Sequence, residues 1–376
     1  MALFGAAAFG VDAFGDAIGS GGGITVDYEL WRATIDNALV ENITSYFTGG
    51  EATYNSDRAI KTEARFDLRD ASVVDPYVDY LAVFENAEYD DGTTATRNQL
   101  GLYATKAPPG TRTIERAEGT YTGADLTSVL ARYAFDDTYN ISAGINYVSA
   151  VATVMALAGI NRYLITPTTL TTAAARSFPI GTTYLEVCNI LLNEIGYYHL
   201  AMLPDGRLTS QPTRNAEYVE PYRIITDSDL MAPVQTQPTD TTVANVVIVV
   251  LDNPNAAPLT KVVRNDDAGS PTSTVNLGTR TRVETRSDLA NQDAVDALAE
   301  RLLSEGRSFY QTATCTLLPN PQALTPHQTV DLALTGKMEM LNGRWRVRCA
   351  RVGFSPKQPT VIEINRSTNS ITGALV

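Results

Sequence analysis

The sequence predicts a mainly β fold with α/β parts: two small β-barrel or sandwich domains plus a helix-and-hairpin unit. Short extended runs separated by turn residues fill 24–124 and return over 216–376, the spacing of small sandwiches and barrels. Thr, Val and Tyr are frequent in both stretches, and their branched or aromatic side chains favour strands. Long helical periodicities are few. At 376 residues the chain exceeds one ordinary domain.

The clearest local signal lies over 181–212. Thr183 followed by Glu186 is a capping-box pattern, and Leu185, Cys188, Leu192 and Ile195 then recur at helical spacing. Gly196 can stop the helix. Residues 197–203 read as a strand, Asp205-Gly206 as a hairpin turn and 207–211 as the returning strand.

Taken in order, residues 1–23 form a Phe/Ala/Gly arm ending in Ser20-Gly21-Gly22-Gly23, a flexible joint. The arm lacks Lys and Arg and carries Asp12 and Asp16, which makes a poor signal peptide and is too polar to span a bilayer. Phe4, Phe9 and Phe14 are candidate anchors on a partner subunit, because exposed aromatics gain most from burial in an interface.

The first β domain, 24–124, alternates over 61–67 and turns at Val74-Asp75-Pro76 into 80–84. It turns again at Asp90-Asp91-Gly92 and continues over 100–103 and 111–122. The middle α/β unit, 125–215, opens on a short helix with Leu126, Val129, Leu130 and Tyr133 on one side. A buried helix follows over 148–157. The last stretch, 216–376, holds strands over 244–251, 260–264 and 279–285, then a helix over 291–305 with Val295, Leu298 and Leu302 inward. Four strands near 310–318, 328–334, 344–354 and 360–366 form a second β domain or complete the first.

The chain offers little recognisable chemistry. Its 29 basic and 42 acidic residues give a formal net charge of −13, the wrong sign for wrapping nucleic acid. An acidic lining still suits DNA that slides past without being held. The two histidines, His199 and His327, stand far apart, and Cys188, Cys315 and Cys349 are isolated. Neither His-x-x-x-His nor Cys-x-x-Cys occurs, so no metal is expected and the thiols read as buried and free. Gly-x-Ser-x-Gly and phosphate-loop patterns are missing too, and no cofactor is expected. Asp90-Asp91-Gly92 and Asp227-Ser228-Asp229 lack the EF-hand spacing. Arg280, Arg282 and Arg286 alternate along a strand with Glu284 among them. They make a salt-bridged β surface or a charge network between subunits.

Three segments together resemble the hub proteins of tailed-phage baseplates: ARFDLRD, DPYVDYLAVF and DGTTATRNQLGLY over 64–103; the helix and Asp-Gly hairpin over 183–212; and NVVIVV, NLGTRTRVET and GRWRVRCARV over 245–366. The turn Thr325-Pro326-His327-Gln328 departs from the Pro-Gly-Asp usual there, and the arm before Ile24 has no counterpart. The resemblance implies two tube-like β domains per subunit in a homotrimeric, non-enzymatic ring. Such a ring joins a sixfold tail tube to a threefold tip at the virion's baseplate and lines a channel for DNA. It implies contacts with the tube or distal tail ring, with tip or fibre proteins, and with a tape-measure-like protein in the lumen. Two alternatives stand beside it: a tail-associated glycan hydrolase pairing carboxylates such as Asp75 and Glu85, and a carbohydrate-binding β protein using exposed tyrosines.

Overall fold

A computed structural model of the chain describes residues 24–89, 96–106, 119–213, 219–237, 244–252, 258–270, 272–286, 292–305, 309–318, 328–356 and 358–368. Phe4, Phe9 and Phe14, the Asp90-Asp91-Gly92 turn and His327 lie outside these residues.

The first stretch contributes β1 (Ile24–Ala33), β2 (Leu39–Asn42), β3 (Phe47–Asn55), β4 (Thr62–Leu68), β5 (Tyr80–Tyr89), β6 (Thr96–Lys106) and β7 (Gly119–Ala124). The middle supplies α1 (Thr127–Arg132), β8 (Tyr139–Ile141), α2 (Tyr147–Leu157), β9 (Tyr163–Ile165), β10 (Arg176–Phe178), α3 (Tyr184–Glu194), β11 (Ala201–Met202) and β12 (Leu208–Ser210). Then come β13 (Arg223–Thr226), β14 (Gln235–Gln237), β15 (Val246–Leu251), β16 (Leu259–Arg264), α4 (Thr274–Leu277), β17 (Thr281–Arg286) and α5 (Gln292–Glu305). β18 (Phe309–Leu317), β19 (Thr329–Ala333), β20 (Gly343–Gly353) and β21 (Thr360–Thr368) close the described chain.

Thirteen of these strands form one sheet, in the order β14-β18-β21-β20-β3-β4-β7-β6-β5-β1-β2, with β19 also on β20 and β13 parallel to β19. β20 makes the join between the first and last stretches. Along one edge its opening residues pair with β19, Thr329 opposite Arg346, while its closing residues pair with β3, Cys349 opposite Asn55. Its other edge pairs with β21 across a bulge between Val347 and Cys349. That bulge changes the parity of the strand: Trp345 and Val347 enter the core before it, Ala350 and Val352 after it. Both stretches thereby share one core, in which Phe354 stacks on Phe66 with ring centroids 5.8 Å apart. The strands approach closely at Gly50, where a Cβ would lie 2.0 Å from the Arg65 carbonyl oxygen.

The sheet is covered on both faces around β5. Leu81 and Val83 point into the shared core, whereas Ala82 and Phe84 meet the helices of the middle unit. A strand buried on both sides reads as an unbroken apolar run, which is what Tyr80-Leu81-Ala82-Val83-Phe84 is. On the helical side α1, α2 and α3 bring Leu130, Val151, Val154, Leu191 and Leu192 into a second core. The capping box at Thr183 is formed in both directions, and Gly196 follows α3 with φ 71°. In the hairpin beyond, Leu203 N–H donates to the Arg207 carbonyl at 2.8 Å. The turn glycine Gly206 has φ 82°, and a Cβ there would lie 2.9 Å from a Leu102 methyl group.

A third core lies between α5 and a separate sheet, β16-β15-β17, where Val247, Val249 and Leu251 meet Val295, Ala299 and Leu303. Several expectations change in detail. Regular strand before the hairpin turn is confined to β11, although Tyr198 N–H still bonds the Gln211 carbonyl across it. Tyr133 faces solvent because α1 ends at Arg132 and the backbone turns extended. Ile195 and Leu298 are only partly buried. Accordingly, Leu192→Ala should cost roughly 2–5 kcal/mol of stability. Leu298→Ala should cost less, a contrast measurable by urea denaturation.

Candidate interaction surfaces

β17 forms an edge of the small sheet, parallel to β15. Alternation along this strand places Arg282, Glu284 and Arg286 on one face. Glu284 is held by both cations, at 3.2 Å from Arg282 and 3.9 Å from Arg286. Arg280 is placed differently: its backbone N–H donates to Asn245 Oδ1 at 2.8 Å, and its carbonyl accepts from the Asn245 and Val246 amides. Three of the four predicted charges are thus brought together, while Arg280 ties the start of the strand to a buried asparagine. The face of this sheet away from α5 exposes Val262 and Val283, which flank Ile248 in register.

Two further features follow from folding rather than from motif. The first is the turn entering β5. Asp75 Oδ1 accepts from Tyr77 N–H at 2.9 Å, and Asp79 Oδ2 accepts from Asp75 N–H at 2.8 Å. Asp79 is itself buried and gripped by Arg32 through two bonds of 2.8 and 3.0 Å. Thr105 donates to the Asp79 carbonyl at 3.1 Å. This fixed scaffold holds Tyr77 at 91% exposure and Val78 at 68%.

The second is a cavity of about 300 Å³ between the central hairpin and the β13–β19 pair. Tyr198, Met202, Leu203 and Gln211 line it from the hairpin, and Tyr222 and Thr329 from the other side. Arg346 lies over the Tyr198 ring at 5.3 Å. At the rim, Arg344 stands 3.8 Å from Glu220 and donates to the Val219 carbonyl at 3.0 Å. His199 also lines the cavity; desolvation and the nearby Lys61 ammonium hold its imidazole below the ordinary histidine pKa.

The carboxylates considered for hydrolysis have other employment. Asp75 and Asp79 build the turn, and Glu85 is only 2% exposed within β5. The Tyr28 hydroxyl donates to Glu85 Oε1 at 3.2 Å, whereas Oε2 has no hydrogen-bond partner among the described residues. Burial pushes the Glu85 carboxyl up to about 7, against the weaker lowering by Tyr28. An acid confined to the interior cannot serve with Asp75 across an open glycan cleft. Among the described residues no group of three His, Cys, Asp or Glu is arranged to hold a metal. Cys188 and Cys315 are buried and Cys349 half-buried, all free.

Because the folded pKa of Glu85 lies above its unfolded value, its stabilising contribution is complete below about pH 4.3 and is lost as pH rises through 7. Glu85→Gln should therefore flatten this pH dependence. At pH 8.5 it should exceed the parent protein by roughly 1–3 kcal/mol in chemical denaturation.

The sequence matches no protein-family model and no curated protein. Its fold, in contrast, matches solved structures along nearly their whole length. A tail protein from Neisseria meningitidis aligns at TM-score 0.64 and 14% identity, covering 93% of this chain and 98% of that one. The 43 kDa tail protein of prophage MuSo2 from Shewanella oneidensis gives 0.63 and 12%, with 90% and 98% covered. A prophage tail protein from Listeria monocytogenes gives 0.52 and 12%, with 93% and 97% covered. At such identities the likeness is one of architecture: this chain has the fold of phage tail proteins.

Proposed function

We propose that the protein is a structural subunit of a phage tail, a hub that forms a homotrimeric ring between the sixfold tube and the threefold tip. The observation that carries this reading is the near-complete mutual coverage with tail proteins, which leaves no large part of either chain unaccounted for. The ends of the large sheet support it: among the described residues β2 ends the main path on one side with all four residues exposed, the short β14 ends it on the other, and β13 ends the branch through β19. Assembly into a ring is one way to cover such edges.

In this reading the protein sits in the virion at the tail tip or baseplate and performs no turnover. Its partners are the tube or distal tail ring, tip or fibre proteins, and a tape-measure-like protein. DNA passes through the ring without specific binding, in keeping with the charge of −13. The working division is an arm over 1–23, a β domain over 24–124, an α/β unit over 125–215, and 216–376, whose strands complete the first β domain and which carries α5 as an accessory helix. Phe4, Phe9 and Phe14 anchor the arm on a neighbour, and Arg280, Arg282, Glu284 and Arg286 belong to an intersubunit charge network.

Light scattering on the purified chain should give a mass near three subunits, and negative-stain images a threefold ring with a central opening. A monomer at every accessible concentration would overturn the ring. Glu284→Gln should change the melting temperature little, since partly exposed ion pairs contribute little to folding. It should nevertheless weaken the ring in sedimentation runs, most clearly at low salt.

A further inference from the structure

We propose that the ring is keyed by the Tyr77 turn of one copy entering the hairpin cavity of the next. This deepens the trimeric reading and rests on it. A cyclic ring of three needs a heterologous contact, in which two different surfaces of the same chain meet. Tyr77 and the cavity are such a pair.

The projecting side has the properties of an interface anchor. Tyr77 is 91% exposed and Val78 beside it 68%, so both leave apolar surface in water when the chain is alone. The turn is also fixed in advance. Asp75 caps the Tyr77 amide, Asp79 binds the Asp75 amide, and Arg32 clamps Asp79 from β1. Little backbone order remains to be imposed on docking, which is the condition under which an aromatic anchor contributes most.

The receiving side fits in size and surface. A cavity of about 300 Å³ is at the lower end for ligand sites and takes one large side chain with part of its neighbour. Met202 and Leu203 give it apolar wall, and Tyr198 and Tyr222 add ring surface for edge or stacked contact. Gln211 and Thr329 can bond a phenolic hydroxyl carried in with the ring. At the rim Arg344 faces Glu220 at 3.8 Å, and Arg346 lies over the Tyr198 ring.

The test compares the parent chain with Tyr77→Ala, which removes the plug, and Gln211→Trp, which fills the cavity. Both positions are exposed, so melting temperatures should match the parent. In sedimentation equilibrium each variant should weaken trimer formation about tenfold or more. Tyr77→Cys mixed with Gln211→Cys should give an intermolecular disulfide on non-reducing gels, and neither alone should. A parent chain that stays monomeric overturns the ring and the key together. A trimer that both variants leave intact, or that yields no mixed disulfide, overturns the key and leaves the ring standing. A disulfide from Tyr77→Cys alone would mean like surfaces meeting, and would equally overturn it.

Discussion

The fold depends on the pairing of β20 with β3. These strands are remote in sequence, yet their ladder makes one sheet of what would otherwise be two. The join is reinforced along its length. Ser56 N–H bonds the Arg348 carbonyl at 2.9 Å, Arg348 meets Asp57 at 2.6 Å, and Phe354 N–H bonds the Gly50 carbonyl at 2.9 Å. The Arg348–Asp57 pair is solvent-exposed and contributes little by itself. The buried contribution comes from Trp345, Val347, Ala350, Val352 and Phe354, which enter the same core as Phe66 and Leu81.

Once that core is closed, the opposite face of β5 and β6 becomes the floor on which the helical unit packs. Arg97 illustrates the coupling of surface to frame. It lies over the Phe84 ring at 3.9 Å while its guanidinium bonds Glu29 on β1 at 2.8 Å. The candidate surfaces sit at the margins of this frame: an edge strand, a turn leading into β5, and a seam between hairpin and sheet. None is built from a motif of the kind that marks catalysis.

This explains which parts were legible beforehand. Capping at Thr183, the Asp205-Gly206 turn, the apolar run of α2 and the periodicity of α5 are local, and local chemistry alone specifies them. The partner of a strand is not local. Nothing in the run 343–353 announces that one half will pair with β19 and the other with β3. The parallel pairings β15–β17 and β13–β19 were hidden in the same way, since parallel ladders join segments separated by long connections. For the candidate surfaces, the alternation of Arg282, Glu284 and Arg286 could be read directly. The cavity could not, because Tyr198, Tyr222 and Thr329 meet only after the sheet has formed. Tyr77 gave a weak signal as a tyrosine following Asp-Pro, but its exposure depends on the Arg32–Asp79 clamp.

The β20–β3 ladder also governs the order of events during synthesis. β3 leaves the ribosome early, but its partner is not complete until residue 353 has been made. Until then the strands from β3 onward carry an unpaired edge and an unclosed apolar face, the state in which nascent β chains associate wrongly. The helical unit, built from contacts close in sequence, can gather sooner and screen the other face of the sheet. A chain organised in this way closes its main core only after β20 has been made, so release before that point yields fragments without the strand that joins the two halves of the sheet.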